Sequence, residues 1–84
     1  MIEKIRAYIA SSISDLKPEE IDVHDDLLGS GIIDSLGMMK LVVFIEAELD
    51  VKIPDEDMVV EHFMTLGNIM DYLSKREDVD LNQD

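Results

Sequence analysis

The sequence predicts an all-α fold, a four-helix bundle with three longer helices, a short third helix and a long loop between helices 1 and 2. Apolar residues recur at helical spacing in separate stretches, and no stretch alternates as a strand does. Between the first two helical stretches, about 20 residues have no sustained period. The chain has 84 residues, of which 46 % are apolar, so it is expected to form one domain with a modest core.

Helix 1 is predicted over about residues 2–14, where aliphatic residues recur at steps of three and four and form one apolar face. These residues are Ile2, Ile5, Ile9, Ile13 and Leu16. The pair Lys17-Pro18 ends the helix, because the residue before a proline disfavours helical geometry.

Residues 15–34 are predicted to form a long loop that is held to the core by its apolar side chains. The stretch PEEIDVHDDLL could include a short helical turn, and Gly29 and Gly31 permit sharp backbone turns before Asp34. The apolar residues of the loop are Ile21, Val23, Leu27, Leu28, Ile32 and Ile33.

Three more helices are predicted at about residues 35–49, 56–62 and 66–75. Helix 2 is apolar over more than one stripe, so we expect it at the centre of the bundle. The Met and Val run at 58–60 is interpreted as a face of helix 3 that packs on the core, and Thr65 is expected to cap the last helix. Residues 1–76 are predicted to form the domain, and residues 77–84 a flexible acidic tail.

The charge balance restricts the possible partners. The net charge is −13, from 20 acidic and 7 basic residues, whereas a small soluble domain needs a net charge of only about 2–8 in magnitude. Nucleic acid and anionic membranes are therefore not expected as partners, and basic protein surfaces are favoured. The simpler alternative is that the acidity only keeps the protein soluble.

Cysteine is absent, so disulfides and thiolate chemistry from the protein's own side chains are excluded. The N-terminal stretch MIEKIRAYIASS carries charges among its apolar residues and does not have the pattern of a signal peptide. No run approaches the roughly 18 apolar residues of a membrane span. We therefore expect a cytoplasmic protein, most simply a monomer.

Ser35 follows a glycine-rich turn, GSGIID, and begins the predicted second helix. Its hydroxyl could cap the helix, although Asp34 could do this equally well. If Asp34 is the cap, Ser35 lies in the first turn with its hydroxyl free to carry a group. A phosphodiester there would lie beside unsatisfied backbone N–H groups, which favour an anion.

Other candidate site residues are weaker. His24 and His62 are isolated histidines, for which a surface or capping role is expected rather than metal binding. The stretch DVHDD lacks the spacing and the glycine of an EF-hand loop, so no metal site is predicted, although the acidic patches could hold a divalent ion loosely. No nucleophile–base arrangement is readable, so an enzyme is not expected.

The motifs DSL at 34–36, FIEAELDVKIPDED at 44–57 and TLGNIMDYL at 65–73 resemble the carrier proteins that bear a 4′-phosphopantetheine arm. The resemblance covers about residues 2–75. It implies that Ser35 receives phosphopantetheine from coenzyme A through a separate magnesium-dependent phosphopantetheinyl transferase. Asp34 matches the aspartate that helps to place the site at the transferase, and Leu36 matches a leucine that contacts partner enzymes.

The resemblance also suggests two groups of residues around the site. Residues expected at the partner interface are Leu36, Met39, Lys40, Val43, Glu46, Asp55 and Glu56. Residues expected to line an acyl pocket within the core are Leu41, Ile45, Ile53 and Val59. The thiol that holds the cargo would come from the arm, which is compatible with the absence of cysteine.

The sequence departs from the commonest fatty-acid carriers after the DSL motif. No acidic residue lies between Ser35 and Glu46, although residues 15–34 and 46–61 each hold seven. The segment GIIDSLGMMKL more closely resembles the corresponding segment of free-standing carriers that work with acyl-adenylating ligases or in specialised acyl or polyketide pathways. Gly37 costs the helix some stability, and it either loosens the first turn or clears room for a partner.

These observations lead to a functional hypothesis with two alternatives. The chain is expected to be an acyl carrier protein, not an enzyme, that holds acyl thioesters in fatty-acid, polyketide or related specialised acyl metabolism. Its partners would be the transferase, an acyl-loading ligase or acyltransferase, and acyl-processing enzymes. The first alternative is an aminoacyl carrier of D-alanyl or peptidyl type, and the second is an acidic helical adaptor that is never modified.

Overall fold

The computed structural model describes residues 1–79, and all the regular structure in that range is helical. Helix α1 spans Ile2–Tyr8, α2 spans Ser35–Leu49, α3 spans Val60–Phe63 and α4 spans Leu66–Ser74. The predicted all-α bundle with a long first loop is confirmed. The proposed domain boundary after residue 76 stays a prediction, and most of the predicted tail lies outside the described residues.

The core is built from aliphatic side chains, as the scarcity of aromatic residues requires. A stacked pair, Tyr8 and Phe44, flanks it, with ring centroids 4.2 Å apart. No polar or charged residue within 1–79 is buried, so the core needs no internal ion pair. The buried apolar side chains are those of Ile5, Ile9, Ile21, Leu27, Ile33, Leu41, Val42, Ile45, Leu49, Ile53, Phe63, Leu66, Ile69, Tyr72 and Leu73.

The helical geometry changes within the predicted first helix. After α1 the chain continues as a π-helical segment, Ile9–Ile13, and the Ser14 N–H donates to the Ile9 carbonyl at 2.7 Å. The chain is extended at Ser14, so the helical region ends close to the predicted boundary. The wider π-helical turn brings the Ile13 side chain close to the start of α2.

The long loop is attached to the rest of the bundle by side chains and by backbone. Its residues Ile21, Leu27 and Ile33 are almost fully buried. The Leu27 N–H donates to the Met64 carbonyl at 2.8 Å, which joins the loop to the connection between α3 and α4. The predicted short turn is a 3₁₀-helix at Pro18–Glu20. These contacts account for the fixed course of a loop that has no periodicity.

The predicted third helix is wrong in its bounds. The chain instead forms a 3₁₀-helix at Asp55–Asp57, and α3 begins only at Val60. Between them the Val59 N–H donates to the Asp57 carbonyl at 2.9 Å, which closes a tight turn at Met58. The adjacent β-branched residues 59 and 60 also have a lower helix propensity. As a result, the side chains at 58–60 are exposed and do not pack as a helical face on the core.

Candidate functional site

Helix α2 begins with a division of roles between two neighbouring residues. Asp34 is the cap: its Oδ1 accepts from the Gly37 N–H at 2.7 Å, and its carbonyl accepts from the Met38 N–H at 2.9 Å. Ser35 is exposed, and its hydroxyl makes no hydrogen bond to any of residues 1–79. The serine hydroxyl is therefore not needed as the cap and is accessible from solvent.

The first turn of α2 also leaves backbone donors unused. Within the described part of the chain, the N–H groups of Ser35 and Leu36 have no hydrogen-bond acceptor. Free N–H groups and the helix dipole favour an anion at this end of a helix. A phosphate attached to the Ser35 oxygen would lie next to these donors, so the residues present fit a phosphodiester-linked group.

Gly37 is buried where three parts of the chain meet. A Cβ atom at this position would lie 2.7 Å from the Ile13 Cγ2 atom and 3.1 Å from the Ile33 Cγ2 atom. Real side chains do not approach so closely, so one of the neighbouring residues would have to move. The glycine therefore clears room for the chain's own π-helical segment and loop. This contact does not test the expectation that Gly37 loosens the first turn or clears room for a partner, which stays a prediction.

An apolar groove of about 200 Å³ opens beside Ser35. One side is formed by α2, and the other side by the segment that leads into and through α3. Besides Ser35, its lining residues are Leu28, Met38, Met39, Val42, Met58, Val59, Val60 and Phe63. For a flexible chain attached to Ser35, this groove is the adjacent apolar surface.

The groove differs from the acyl pocket expected from the sequence. Leu41, Ile45 and Ile53 are fully buried in the core and do not line it, whereas Val59 does. Their side chains are enclosed by neighbouring core residues, so they could contact a cargo chain only if the core opened. The sequence did not predict that Met58 and Val60 line the groove, because an exposed apolar run has the same composition as a buried one.

The residues expected at a partner interface lie in two places. Leu36, Met39 and Val43 form one exposed stripe along α2, with between 62 % and 64 % of each side chain accessible. Lys40 is exposed on the same helix. Asp55 and Glu56 are exposed in the 3₁₀-helix that precedes the far side of the groove. The stripe therefore presents an apolar surface with one positive charge, flanked by acidic residues.

Glu46 has a structural contact that the sequence did not reveal. It is only partly exposed, and its Oε2 atom accepts from the Ile53 N–H at 2.7 Å. This bond ties the end of α2 to the link that follows it. The α2 helix itself ends at Asp50 in a left-handed conformation with a φ of 53°.

Two features are absent from residues 1–79, a metal-binding cluster and a membrane-spanning helix. No cluster of three or more His, Cys, Asp or Glu residues there is arranged to bind a metal ion. None of the helices in this range has the length and apolar character needed to cross a membrane.

Comparisons with known proteins point to one family over most of the chain. Residues 3–73 match the family described as the phosphopantetheine attachment site. An acyl carrier protein of Clostridium perfringens is 31 % identical over 78 residues, which cover 93 % of this chain and 99 % of that protein. An acyl carrier protein of Rhodococcus erythropolis is 33 % identical over 69 residues, covering 82 % of this chain and 74 % of the relative.

A more specialised relative is also similar. The meromycolate extension acyl carrier protein of Mycobacterium leprae is 33 % identical over 72 residues, which cover 86 % of this chain and 61 % of that protein. The helical fold and the match to the attachment-site family define the class, a phosphopantetheine-bearing carrier domain. Within this class the chain belongs to the acyl carrier protein family, which holds acyl groups on covalently attached 4′-phosphopantetheine.

Proposed function

We propose that Ser35 is the attachment residue, and that the chain carries acyl groups as thioesters on the arm bound there. The observation that supports this most strongly is the exposed Ser35 hydroxyl, which has no hydrogen bond within residues 1–79 while Asp34 caps the helix. The arm supplies the thiol that this cysteine-free chain lacks. The chain's own part is to present the oxygen and to accommodate the phosphate.

The attachment reaction requires an exposed oxygen and a base from another protein. The Ser35 oxygen would attack the pantetheine-bearing phosphorus of coenzyme A, forming a P–O bond. The bond to the second phosphate breaks, adenosine 3′,5′-bisphosphate leaves, and the serine proton passes to a base on the phosphopantetheinyl transferase. The unused N–H groups of Ser35 and Leu36 then lie next to the new phosphodiester.

The exposed stripe of Leu36, Met39 and Val43 is proposed as the docking surface for partner enzymes, with Lys40 beside it. The first three turns of α2 carry no acidic residue, so apolar contact contributes more here than ion pairing does. Asp55 and Glu56, and the exposed part of Glu46, would contact basic residues at the edge of the same interface.

The groove is proposed as the first shelter for the acyl chain, because Ser35 forms part of its lining. Burial of a methylene group contributes at most about 0.8 kcal/mol. A longer chain would need to open the core toward Leu41, Ile45 and Ile53, which are already packed. The acyl-pocket assignment of these three residues therefore stays a prediction that requires movement of the bundle.

The proposed carrier is not itself catalytic, and it acts through other proteins. These are the transferase, an acyl-loading ligase or acyltransferase, and enzymes that process the tethered chain, in fatty-acid or specialised acyl metabolism. We propose that it works as a cytoplasmic monomer whose domain comprises residues 1–76, with residues 77–84 as a tail. Family membership and the highly acidic composition support this proposal.

Intact-mass measurement tests the attachment. The purified chain, incubated with coenzyme A, magnesium and a phosphopantetheinyl transferase, should gain one phosphopantetheine moiety, and Ser35→Ala should gain none. Ser11→Ala is a matched control, because this serine is also exposed but is not part of α2. An adduct on the Ser35→Ala variant, or no adduct on the wild-type chain, would show that the assignment is wrong. Loading the product with acyl and aminoacyl groups would then identify the cargo class.

A further inference from the structure

A cluster of side chains centred on Tyr72 of α4 contacts the segment that forms the far side of the groove. The Tyr72 hydroxyl donates to the Asp57 Oδ2 atom at 2.7 Å and accepts from the Arg76 Nη1 atom at 3.0 Å. Tyr72 is buried, and the other two residues are partly exposed. We call Asp57, Tyr72 and Arg76 the tyrosine latch. Along the chain, Asp57 precedes Tyr72 by 15 positions and Arg76 follows it by 4.

Arg76 extends the latch to a second point. Its Nη2 atom donates to the Lys52 carbonyl at 2.9 Å, in the link that follows α2. The Asp78 carboxylate accepts from the Nε and Nη2 atoms of Arg76 at 2.8 and 2.6 Å and fixes the plane of the guanidinium group. Tyr72 near the end of α4 and Arg76 just after it therefore bond to the chain on both sides of the buried Ile53.

His62 strengthens the same contact from α3. Its ring stacks on the Tyr72 ring with centroids 4.6 Å apart, and its Nδ1 atom lies 2.7 Å from the Asp57 carbonyl oxygen. The Phe63 ring lies 5.6 Å from the Tyr72 ring. Asp57 is thus held through its carboxylate by α4 and through its carbonyl by α3.

These contacts act on a segment with little regular structure of its own. We call residues 55–63 the groove wall, because the side chains at 58, 59, 60 and 63 line the groove. Only Val60–Phe63 is α-helical, and the chain at Met58 and Val59 belongs to neither helix. Such a short helix is not stable alone, so the position of the wall depends on side-chain contacts with α4.

We propose that the tyrosine latch is a positioning device that preforms the apolar groove by fixing the groove wall against α4. The proposal relies on the proposed function only for the use of the groove by an acyl chain. Met58 follows Asp57 directly, so a rotation of the latched aspartate would move the adjacent groove residue. Neither Tyr72 nor Arg76 lines the groove. The Tyr72 hydroxyl acts on the groove wall through Asp57, and the Tyr72 ring acts on it through His62 and Phe63.

The protonation of the tyrosine is consistent with this role. Burial raises the pKa of Tyr72, and its hydrogen bond to Asp57 raises it further, while the neighbouring Arg76 acts in the opposite direction. The hydroxyl thus keeps its proton near neutral pH and remains able to donate to the carboxylate.

The proposal is tested on the full chain with Ser35 unmodified, so the result does not depend on whether the serine is the attachment residue. Tyr72→Phe removes the hydroxyl and keeps the ring. Tyr8→Phe is the matched control, since the Tyr8 hydroxyl makes no hydrogen bond within residues 1–79 and its ring stacks on Phe44. Amide hydrogen exchange reports on the groove wall, and Nile red, a neutral apolar dye, reports on the groove.

Tyr72→Phe should raise exchange in residues 57–63 about tenfold relative to α1 and α2, the scale of one lost hydrogen bond, and should weaken dye binding several-fold. Asp57→Ala should reproduce both effects, whereas Asp57→Asn should restore much of the dye binding because its amide oxygen can still accept. The proposal is overturned if Tyr72→Phe behaves as Tyr8→Phe does, or if exchange rises equally in all helices. Unchanged or tighter dye binding would also overturn it.

Discussion

At the residue scale, the start of α2 gives the capping role to one of two candidate residues. Both Asp34 and Ser35 are residue types that cap helices, so the sequence could not assign the cap. The structure assigns it to Asp34, because only this side chain accepts the Gly37 N–H. Which of the two residues caps the helix depends on the backbone geometry at one position, and the spacing of apolar residues in the sequence gives no information about that geometry.

This assignment predicts unequal effects of two neighbouring substitutions on stability. Asp34→Ala should lower the free energy of unfolding by about 1 kcal/mol, within a range of roughly 0.5–2 kcal/mol. Ser35→Ala should change it by less than about 0.5 kcal/mol, because its exposed hydroxyl has no partner in the described chain. Urea denaturation of the two variants measures the difference. Equal losses would show that the serine shares the capping role.

A second residue-scale prediction concerns Gly37. Alanine has the higher helix propensity, but its methyl group would meet Ile13 and Ile33. Gly37→Ala should therefore lower the free energy of unfolding by about 1–3 kcal/mol, the usual cost of overpacking. Gly67→Ala is the control, because a Cβ there would make ordinary contacts at 3.5 Å or more. A more stable Gly37→Ala variant would contradict the close approach.

The third residue-scale prediction concerns pH. Because folding raises the pKa of Tyr72 above its ordinary value of 10.0, the protonated form is favoured in the folded protein. The contribution of protonated Tyr72 to the free energy of unfolding is fully present below pH 10.0, and it is lost as the pH rises through the pKa of Tyr72 in the folded protein. Tyrosinate absorbance should contain a component above 10.0 that is absent in Tyr72→Phe. If Tyr72→Phe instead removes a tyrosinate component whose pKa is 10.0 or lower, the prediction is contradicted.

At the element scale, the sequence predicted the helices with strong periodicity well. Helices α2 and α4 begin and end within a residue of the expected bounds, because long apolar stripes and the Thr65 cap specify them. The third helix was predicted less well. The burial of Ile53 and the side-chain bonds to Asp57 determine its course, and the bond from Tyr72 to Asp57 joins residues far apart in sequence.

The groove could not be predicted for a related reason. The run at 58–60 is apolar, and an apolar run is usually buried, yet the turn at Met58 leaves it exposed beside Ser35. The exposed stripe on α2 was predictable in part, because Met39 and Val43 fall outside the core-facing positions of the helix. The exposed face of a single helix can be predicted from the spacing of its apolar residues. A groove between two elements cannot, because it depends on how the two elements pack.

The apolar stripe leads to a prediction for the α2 surface. Leu36→Ala should lower the kcat/KM of the phosphopantetheinyl transferase about tenfold, since truncating an apolar contact of this size costs up to roughly 1.5–3 kcal/mol. Folding should be unaffected, because Leu36 is 63 % exposed. The control is Ala7→Ser, an exposed position on α1 and therefore outside the α2 stripe. An unchanged kcat/KM for Leu36→Ala would exclude the residue from the transferase interface.

At the scale of the whole molecule, the net charge of −13 is distributed over a chain with a radius of gyration of 11.8 Å. Like charges at this density repel one another and lower the stability of the compact state. Within residues 1–79, the pairs of Lys75 with Asp71 and of Lys4 with Glu48 are solvent-exposed, and exposed ion pairs offset little of this repulsion.

Raising ionic strength should therefore raise the melting temperature. A gain of about 1 kcal/mol from screening would correspond to roughly 4–8 °C for a domain of this size. Thermal unfolding followed by circular dichroism at low and at moderate sodium chloride measures the shift. Potassium chloride should give the same shift if screening is the cause, and a flat response would mean that the charges are already well separated.

The most direct test of the account is to isolate the protein from its own cells and locate any attached group by mass spectrometry. The account predicts a phosphopantetheine moiety on Ser35, carrying an acyl thioester in part of the molecules. A protein that is active in those cells with Ser35 unmodified, or with the group on another residue, would contradict it.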